Sequence, residues 1–144
     1  MNLSYCFTYP SVPESEDRML DEIGDLLRQW QLPENLWHRV MLVVSEGYTN
    51  SFLHGNCKNA DKLIKIYLVL NETDLIVDIY DEGNEQESLN KIKNRKPADL
   101  LGENGRGVDL MMRYADDIRF ERGEKGGLKV TVRFNRDNKK EIRI

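Results

Sequence analysis

The sequence predicts an α+β fold, a two-layer sandwich in which a mixed, mostly antiparallel sheet carries helices on one face. Three observations lead there. The chain has 144 residues, 40% of them hydrophobic and 32% charged, which is enough apolar material for one core and too much for a disordered chain. A single domain over 1–144 is therefore expected, with a charged tail from about 135 to 144. Apolar spacing then switches along the chain in the order strand, helix, helix, hairpin, long loop, helix, hairpin. Finally, consecutive strands are joined by short polar turns, which favours antiparallel pairing.

Each element has a local reason. Leu3 to Thr8 carries Tyr, Phe and Thr in loose alternation and reads as a strand ending at Tyr9-Pro10. Ser15-Glu16-Asp17-Arg18 opens a helix in which Met19, Leu20, Ile23, Leu26, Leu27 and Trp30 recur at helical spacing, and Pro33 marks its end. A second helix runs from about Glu34 to Leu53. Its apolar residues cover most of its circumference, so it is expected to be deeply buried, with Gly55 as a left-handed cap. Residues 63–70 and 75–80 form two β runs around the polar turn Asn71-Glu72-Thr73-Asp74, hence a hairpin. Residues 81–107 are polar and glycine-containing, and a loop this long inside a compact domain is usually a lid or a disordered segment. A helix over about 108–114 follows. A last hairpin, 117–122 with 128–134, turns at Gly126-Gly127.

Charge and composition exclude several classes. Lys plus Arg number 21 against 25 Asp plus Glu, a formal charge of −4, so the basic surface that direct nucleic-acid binding requires is not expected. Nothing approaches about 18 consecutive apolar residues, and no membrane span is expected. The first residues lack a basic-then-apolar leader pattern. Cys6 and Cys57 have no metal-type spacing; they read as free thiols, and a cytoplasmic location follows.

Three groups of residues carry chemistry. Glu46 and Asn50 lie four apart on the second helix, on nearly the same face, at the edge of its apolar surface. A carboxylate there needs a partner, either an arginine or a bound ligand. Gly47 beside them costs roughly 1 kcal/mol relative to Ala, which makes sense if another backbone or a ligand comes close. Asp81-Glu82-Gly83 follows a strand directly: an acceptor beside uncovered backbone, or an ordinary Asp/Gly turn. Gly102-Glu103-Asn104-Gly105-Arg106-Gly107 precedes a helix, where free amides and the helix dipole favour phosphate, or where a flexible connector would do. It is neither a P-loop, lacking Gly-Lys-Ser/Thr, nor a dinucleotide fingerprint, lacking a βαβ unit.

All three fall, in this order, within residues 46–107. The order resembles the GHKL (histidine-kinase-like) ATPase superfamily. Val44-Ser45-Glu46-Gly47-Tyr48-Thr49-Asn50-Ser51-Phe52-Leu53-His54-Gly55 resembles the N-box of the bacterial anti-sigma factors that are also serine-protein kinases. The resemblance covers roughly residues 5–134 and implies a Bergerat-type sandwich with a long ATP lid, and ATP and Mg²⁺ as ligands. It implies Asn50 as the Mg²⁺ ligand and Glu46 as the general base. It implies Asp81 as acceptor for the adenine amino group and Gly83 as the bed of the base. Gly105, Arg106 and Gly107 would be the lid residues that offer amides to the phosphates. Arg95 and Lys96 fall in the same lid, and His54 reads as structural.

The implied activity is an ATP-dependent serine kinase that holds a sigma factor and phosphorylates a serine of an anti-anti-sigma (STAS-type) antagonist, in a homodimer. The alternative is a protein-interaction module, with or without nucleotide, that does not turn over. Two departures from the family pattern favour it: Glu85 stands where the first glycine box has its second glycine, and Leu128 where a small hydroxyl residue often follows Gly127. Asp109, in an otherwise apolar helix, is expected to face solvent. A histidine-kinase catalytic half fits less well, since the first helix holds no histidine.

Overall fold

The computed structural model describes residues 2–83 and 103–137, with side chains from residue 107 onward in the second stretch. In chain order the elements are β1 (Leu3–Pro10), α1 (Glu14–Gln29), α2 (Glu34–Asn50), β2 (Leu63–Leu70), β3 (Asp74–Tyr80), α3 (Glu103–Tyr114), β4 (Asp117–Arg122) and β5 (Leu128–Asn135). The strands form one sheet in the order β1-β2-β3-β5-β4. All four pairings are antiparallel, so the mixed character expected is not found among the described residues.

Period-two alternation sorts the sheet into a covered and an open face. Ile64, Ile66, Leu68, Val77, Ile79 and Val132 are fully buried under the helices. On the opposite face Thr131 Oγ1 donates to Asp78 Oδ1 at 2.6 Å, and Lys65 and Lys129 flank the Tyr80 ring. The cover is incomplete at one edge. Leu3 and Tyr5 pair with Leu70 and Leu68 and so point to the helix side, yet they remain 39% and 51% exposed.

α1 buries Met19, Ile23 and Leu27, one turn apart, and places Glu14, Glu16 and Asp17 in its first turn, where the helix dipole favours acidic groups. Just past its end at Gln29, Gln31 turns the chain with a left-handed φ of 58°, and Leu32 N–H bonds to Leu27 O at 3.2 Å. α2 lies against α1, with Trp37 Nε1 donating to Gly24 O at 2.9 Å.

Two expectations at the end of α2 are corrected. The α-helix stops at Asn50 and continues as a π turn over Ser51–Gly55, in which Asn56 N–H reaches back to Ser51 O at 2.7 Å. The left-handed residues beyond it are Cys57 (φ 51°) and Lys58 (φ 59°), not Gly55. Gly47 is approached by side chains and not by another backbone: a Cβ there would strike Ile79 and come within 3.3 Å of Met111 Cε. Burying those two residues contributes about 1.5–3 kcal/mol each, which outweighs the glycine's roughly 1 kcal/mol cost in a helix.

Between β3 and β4 the chain forms α3. It returns the chain to the far edge, and β5 then inserts between β4 and β3. The start of β5 thereby lies beside the end of β3: Asp81 N–H donates to Leu128 O at 3.0 Å.

Candidate functional site

The second half of α2 supplies the centre of the site. Glu46 and Asn50, one turn apart, are both half-buried. α3 packs along α2, with Met111 Cε at Gly47 and Met111 Sδ 4.0 Å from Asn50 Nδ2. One turn before Met111 comes Gly107. The Cβ it lacks would lie 3.0 Å from Glu46 Oε2, 3.3 Å from Asn50 Oδ1 and 3.4 Å from Asn50 Nδ2. The structure therefore brings Glu46, Asn50 and Gly107 together.

Glu46 has no hydrogen-bond or ion-pair partner among the described residues, so the arginine that spacing left open as its mate is not found there. Burial, and then the Glu16 carboxylate on α1, hold the Glu46 carboxyl above its ordinary range. A half-buried carboxylate with no partner among the described residues carries a desolvation cost that a proton or a cation would relieve.

α3 begins at Glu103, earlier than the helix expected from residue 108. Gly105, Arg106 and Gly107 thus belong to its first two turns and not to a preceding loop. A helix leaves the amides of its first turn unpaired. Gly107 lies beyond that turn, so it offers a missing side chain rather than a free amide. Glu85, Arg95, Lys96 and Gly102 lie outside the described residues.

A second cluster sits where the π turn meets the end of β3. Asp81, 5% exposed, accepts Gly83 N–H at 2.9 Å and Leu128 N–H at 3.1 Å on Oδ1. Its carboxylate rests against Gly55, and Gly83 rests on Gly55 O, so closely that a Cβ on either glycine would collide. Two amides on one oxygen hold the Asp81 side chain in place as an acceptor. Asp81 and Gly83 are thus brought together as expected, with Gly55 added as the surface on which they lie. Leu128 contributes its backbone to Asp81 while its side chain is buried in the core, and Asp109 lies on the exposed side of α3.

Sequence reasoning missed Asn56, which is buried and holds this corner. Its Nδ2 donates to Ser11 Oγ (2.7 Å) and Leu63 O (3.0 Å), and its Oδ1 accepts Glu82 N–H at 2.7 Å. Only its polarity after His54-Gly55 could have flagged it, since the partners are distant in sequence. His54 is half-buried within the π turn.

The donor set at Glu46 and Asn50 is oxygen-only, the kind a small hard divalent cation prefers while keeping some of its waters. No group of three or more His, Cys, Asp or Glu converges on a metal position among the described residues. The N-terminal turn of α3, next to Gly107, carries the positive end of a helix dipole. Cation-seeking oxygens and an anion-seeking helix end at one place suit a phosphate–magnesium pair. Nor is any helix among the described residues long and apolar enough to cross a membrane.

Comparison with known proteins bears on the same residues. The sequence model of a family described as the histidine kinase-like ATPase domain matches residues 9–134. The chain is 28% identical over 98 residues to an anti-sigma F factor of Clostridium novyi (strain NT), covering 65% of this chain and 67% of that protein. An anti-sigma F factor of Clostridium acetobutylicum is 26% identical over 130 residues, or 88% of this chain and 79% of its own. One from Priestia megaterium is 33% identical over 87 residues, 57% and 58% of the two chains.

Proposed function

Since the chain belongs to the histidine kinase-like ATPase domain family, and its relatives are anti-sigma F factors, we propose that it is an ATP-binding, cytoplasmic anti-sigma regulator with serine-protein kinase activity. In this reading it binds a sigma factor and phosphorylates a serine of a STAS-type antagonist protein. The observation that carries the proposal is the convergence of Glu46, Asn50 and Gly107 within 3.0–3.4 Å of one missing Cβ, at the N-terminal end of α3.

Asn50 Oδ1 is the Mg²⁺ ligand in this assignment, and Asp81 receives the adenine amino group while Gly83 and Gly55 form the flat bed beneath the base. Bound MgATP supplies the transferable phosphoryl group and the charge neutralisation that the transfer needs. Glu46 orients the attacking serine hydroxyl and accepts its proton. Its raised proton affinity suits that task, because a base is most effective when its pKa approaches the working pH. The first-turn amides at Gly105 and Arg106 face the phosphates, and Gly107 lets α3 come close to Glu46 without a side chain between them. A homodimer is supported by β1, an edge strand whose Leu3 and Tyr5 stay exposed on the helix side of the sheet.

The test is incubation with γ-labelled ATP, Mg²⁺ and a purified STAS-type antagonist. Label is expected on the antagonist, lost in Glu46→Ala and kept in Glu124→Ala, an exposed glutamate elsewhere. Equal labelling by both variants overturns the role of Glu46. Absence of ATP binding by the unaltered protein overturns the reading as a whole.

A further inference from the structure

α2 carries a fully buried arginine that the site as described does not use. Arg39 is 0% exposed. Its Nε donates to Tyr114 O at 3.2 Å, its Nη2 lies 3.4 Å from Asp116 Oδ2, and its guanidinium faces the Phe134 ring. Asp116 is fixed in turn by β5: its Oδ2 accepts Asn135 N–H at 2.7 Å and its own N–H donates to Arg133 O at 2.9 Å. Tyr114 is the last residue of α3. Arg39 therefore holds the carbonyl end of α3, where the helix dipole is negative, and binds it to α2 and to β5 at once.

Burying a guanidinium is expensive, and an apolar side chain of similar volume often stabilises such a position as well or better. The register suggests what the arginine does besides stabilise. Glu46 is seven residues beyond Arg39 on α2, and Gly107 is seven residues before Tyr114 on α3. Seven residues are two helical turns, about 10 Å, so the two helices run past each other with one fixed crossing at each end of that interval. At one end stands Arg39 with Tyr114 O; at the other, Gly107 against Glu46 and Asn50, where Met111 of the same α3 interval also packs on Gly47, the residue after Glu46. A helix is stiff over two turns, so the seating of its last carbonyl sets the position of its second turn.

Resting on the ATP-site reading above, we propose that Arg39 is a positioning residue: by clamping the C-terminal end of α3 to α2 it sets how closely Gly107 approaches Glu46 and Asn50. Lysine cannot reproduce the clamp, because it lacks the planar fork that reaches a carbonyl and a carboxylate together. Methionine fills the volume without either bond.

The experiment compares the unaltered chain with Arg39→Met and Arg39→Lys by amide hydrogen exchange without nucleotide, and by ATP affinity in Mg²⁺. Arg39→Met is expected to speed exchange selectively at the amides of residues 107–114, leaving β2 and β3 as they were. ATP affinity should fall about tenfold or more, the scale on which ångström-level misplacement acts. Arg39→Lys should recover part of both effects. Exchange that rises uniformly across sheet and helices, or a folded Arg39→Met variant with unchanged affinity, overturns the proposal and leaves the arginine a purely stabilising group. Should Arg39→Met fail to fold, Asp116→Asn is read in the same way, and unaltered α3 exchange in that variant overturns it too. If the unaltered chain binds no ATP, the functional reading falls by itself, since the exchange comparison needs no nucleotide.

Discussion

Gly107→Ala separates stability from function. The added methyl would stand 3.0 Å from Glu46 Oε2 and 3.3–3.4 Å from the Asn50 amide. That is tighter than a methyl and its neighbours ordinarily sit, so the carboxylate must give by a few tenths of an ångström. Glu46 is a flexible side chain and half-buried, so this retreat costs little in folding. Replacing a glycine in the interior of α3 meanwhile gains up to about 1 kcal/mol of helix propensity. The variant should therefore be as stable as the parent or more so, with a melting temperature unchanged or higher. Its phosphotransfer should drop about tenfold to a hundredfold, because the methyl occupies the space between base, amide and helix end. The assays are thermal denaturation alongside turnover and ATP affinity in Mg²⁺. A folded Gly107→Ala protein with parental affinity and turnover would refute the idea that this approach forms the site.

Two further outcomes are expected. Glu46→Gln should abolish phosphotransfer yet stabilise the fold at neutral pH. The folded Glu46 carboxyl has a raised proton affinity, so the unfolded chain ionises first and the parent loses stability as pH climbs through the interval between the two values. The advantage of Gln over Glu should thus shrink on acidification and vanish below about pH 4, where both states are protonated; an advantage that grows toward low pH in urea titrations would contradict it. Gln31→Gly should stabilise the chain by about 1 kcal/mol, since an exposed L-residue with φ of 58° bears a left-handed penalty that glycine does not; an unchanged urea midpoint would show that its side chain repays that penalty.

What the sequence disclosed, and what it hid, follows from the range of the interactions. Residues 63–70 and 117–122 are strands with the bounds expected, because alternation and a polar turn act within a few positions. The family resemblance rests on the run Val44 to Gly55 and on the order of three residue groups, each of them local in sequence, and the match over residues 9–134 agrees with it. The start of α3 was hidden because Gly105 and Gly107 argue locally against helix; close packing on Glu46 and Asn50 overrides that propensity. The π turn was hidden because Ser51 to Leu53 fit an α-helix equally well, and it is Asn56, drawn toward Ser11 and Leu63, that widens the turn. Arg39 has no local signal, since its partners Tyr114 and Asp116 lie 75 and 77 positions away.

The corner at Asp81 has a consequence for how such a protein can diverge. Gly55, Gly83 and Gly127 meet there without room for a Cβ on any of them: Gly83 lies against Gly55 O, Gly55 against the Asp81 carboxylate, and Gly127 against Asp81 O. Three loops from remote parts of the chain are interlocked through the absence of three methyl groups. A larger residue at Gly83 needs Gly55 to move, and one at Gly55 or Gly127 needs Asp81 to move, so each substitution there calls for a compensating shift. Variation between descendants must accumulate instead on the bare side of the sheet and along the outer surface of the first helix.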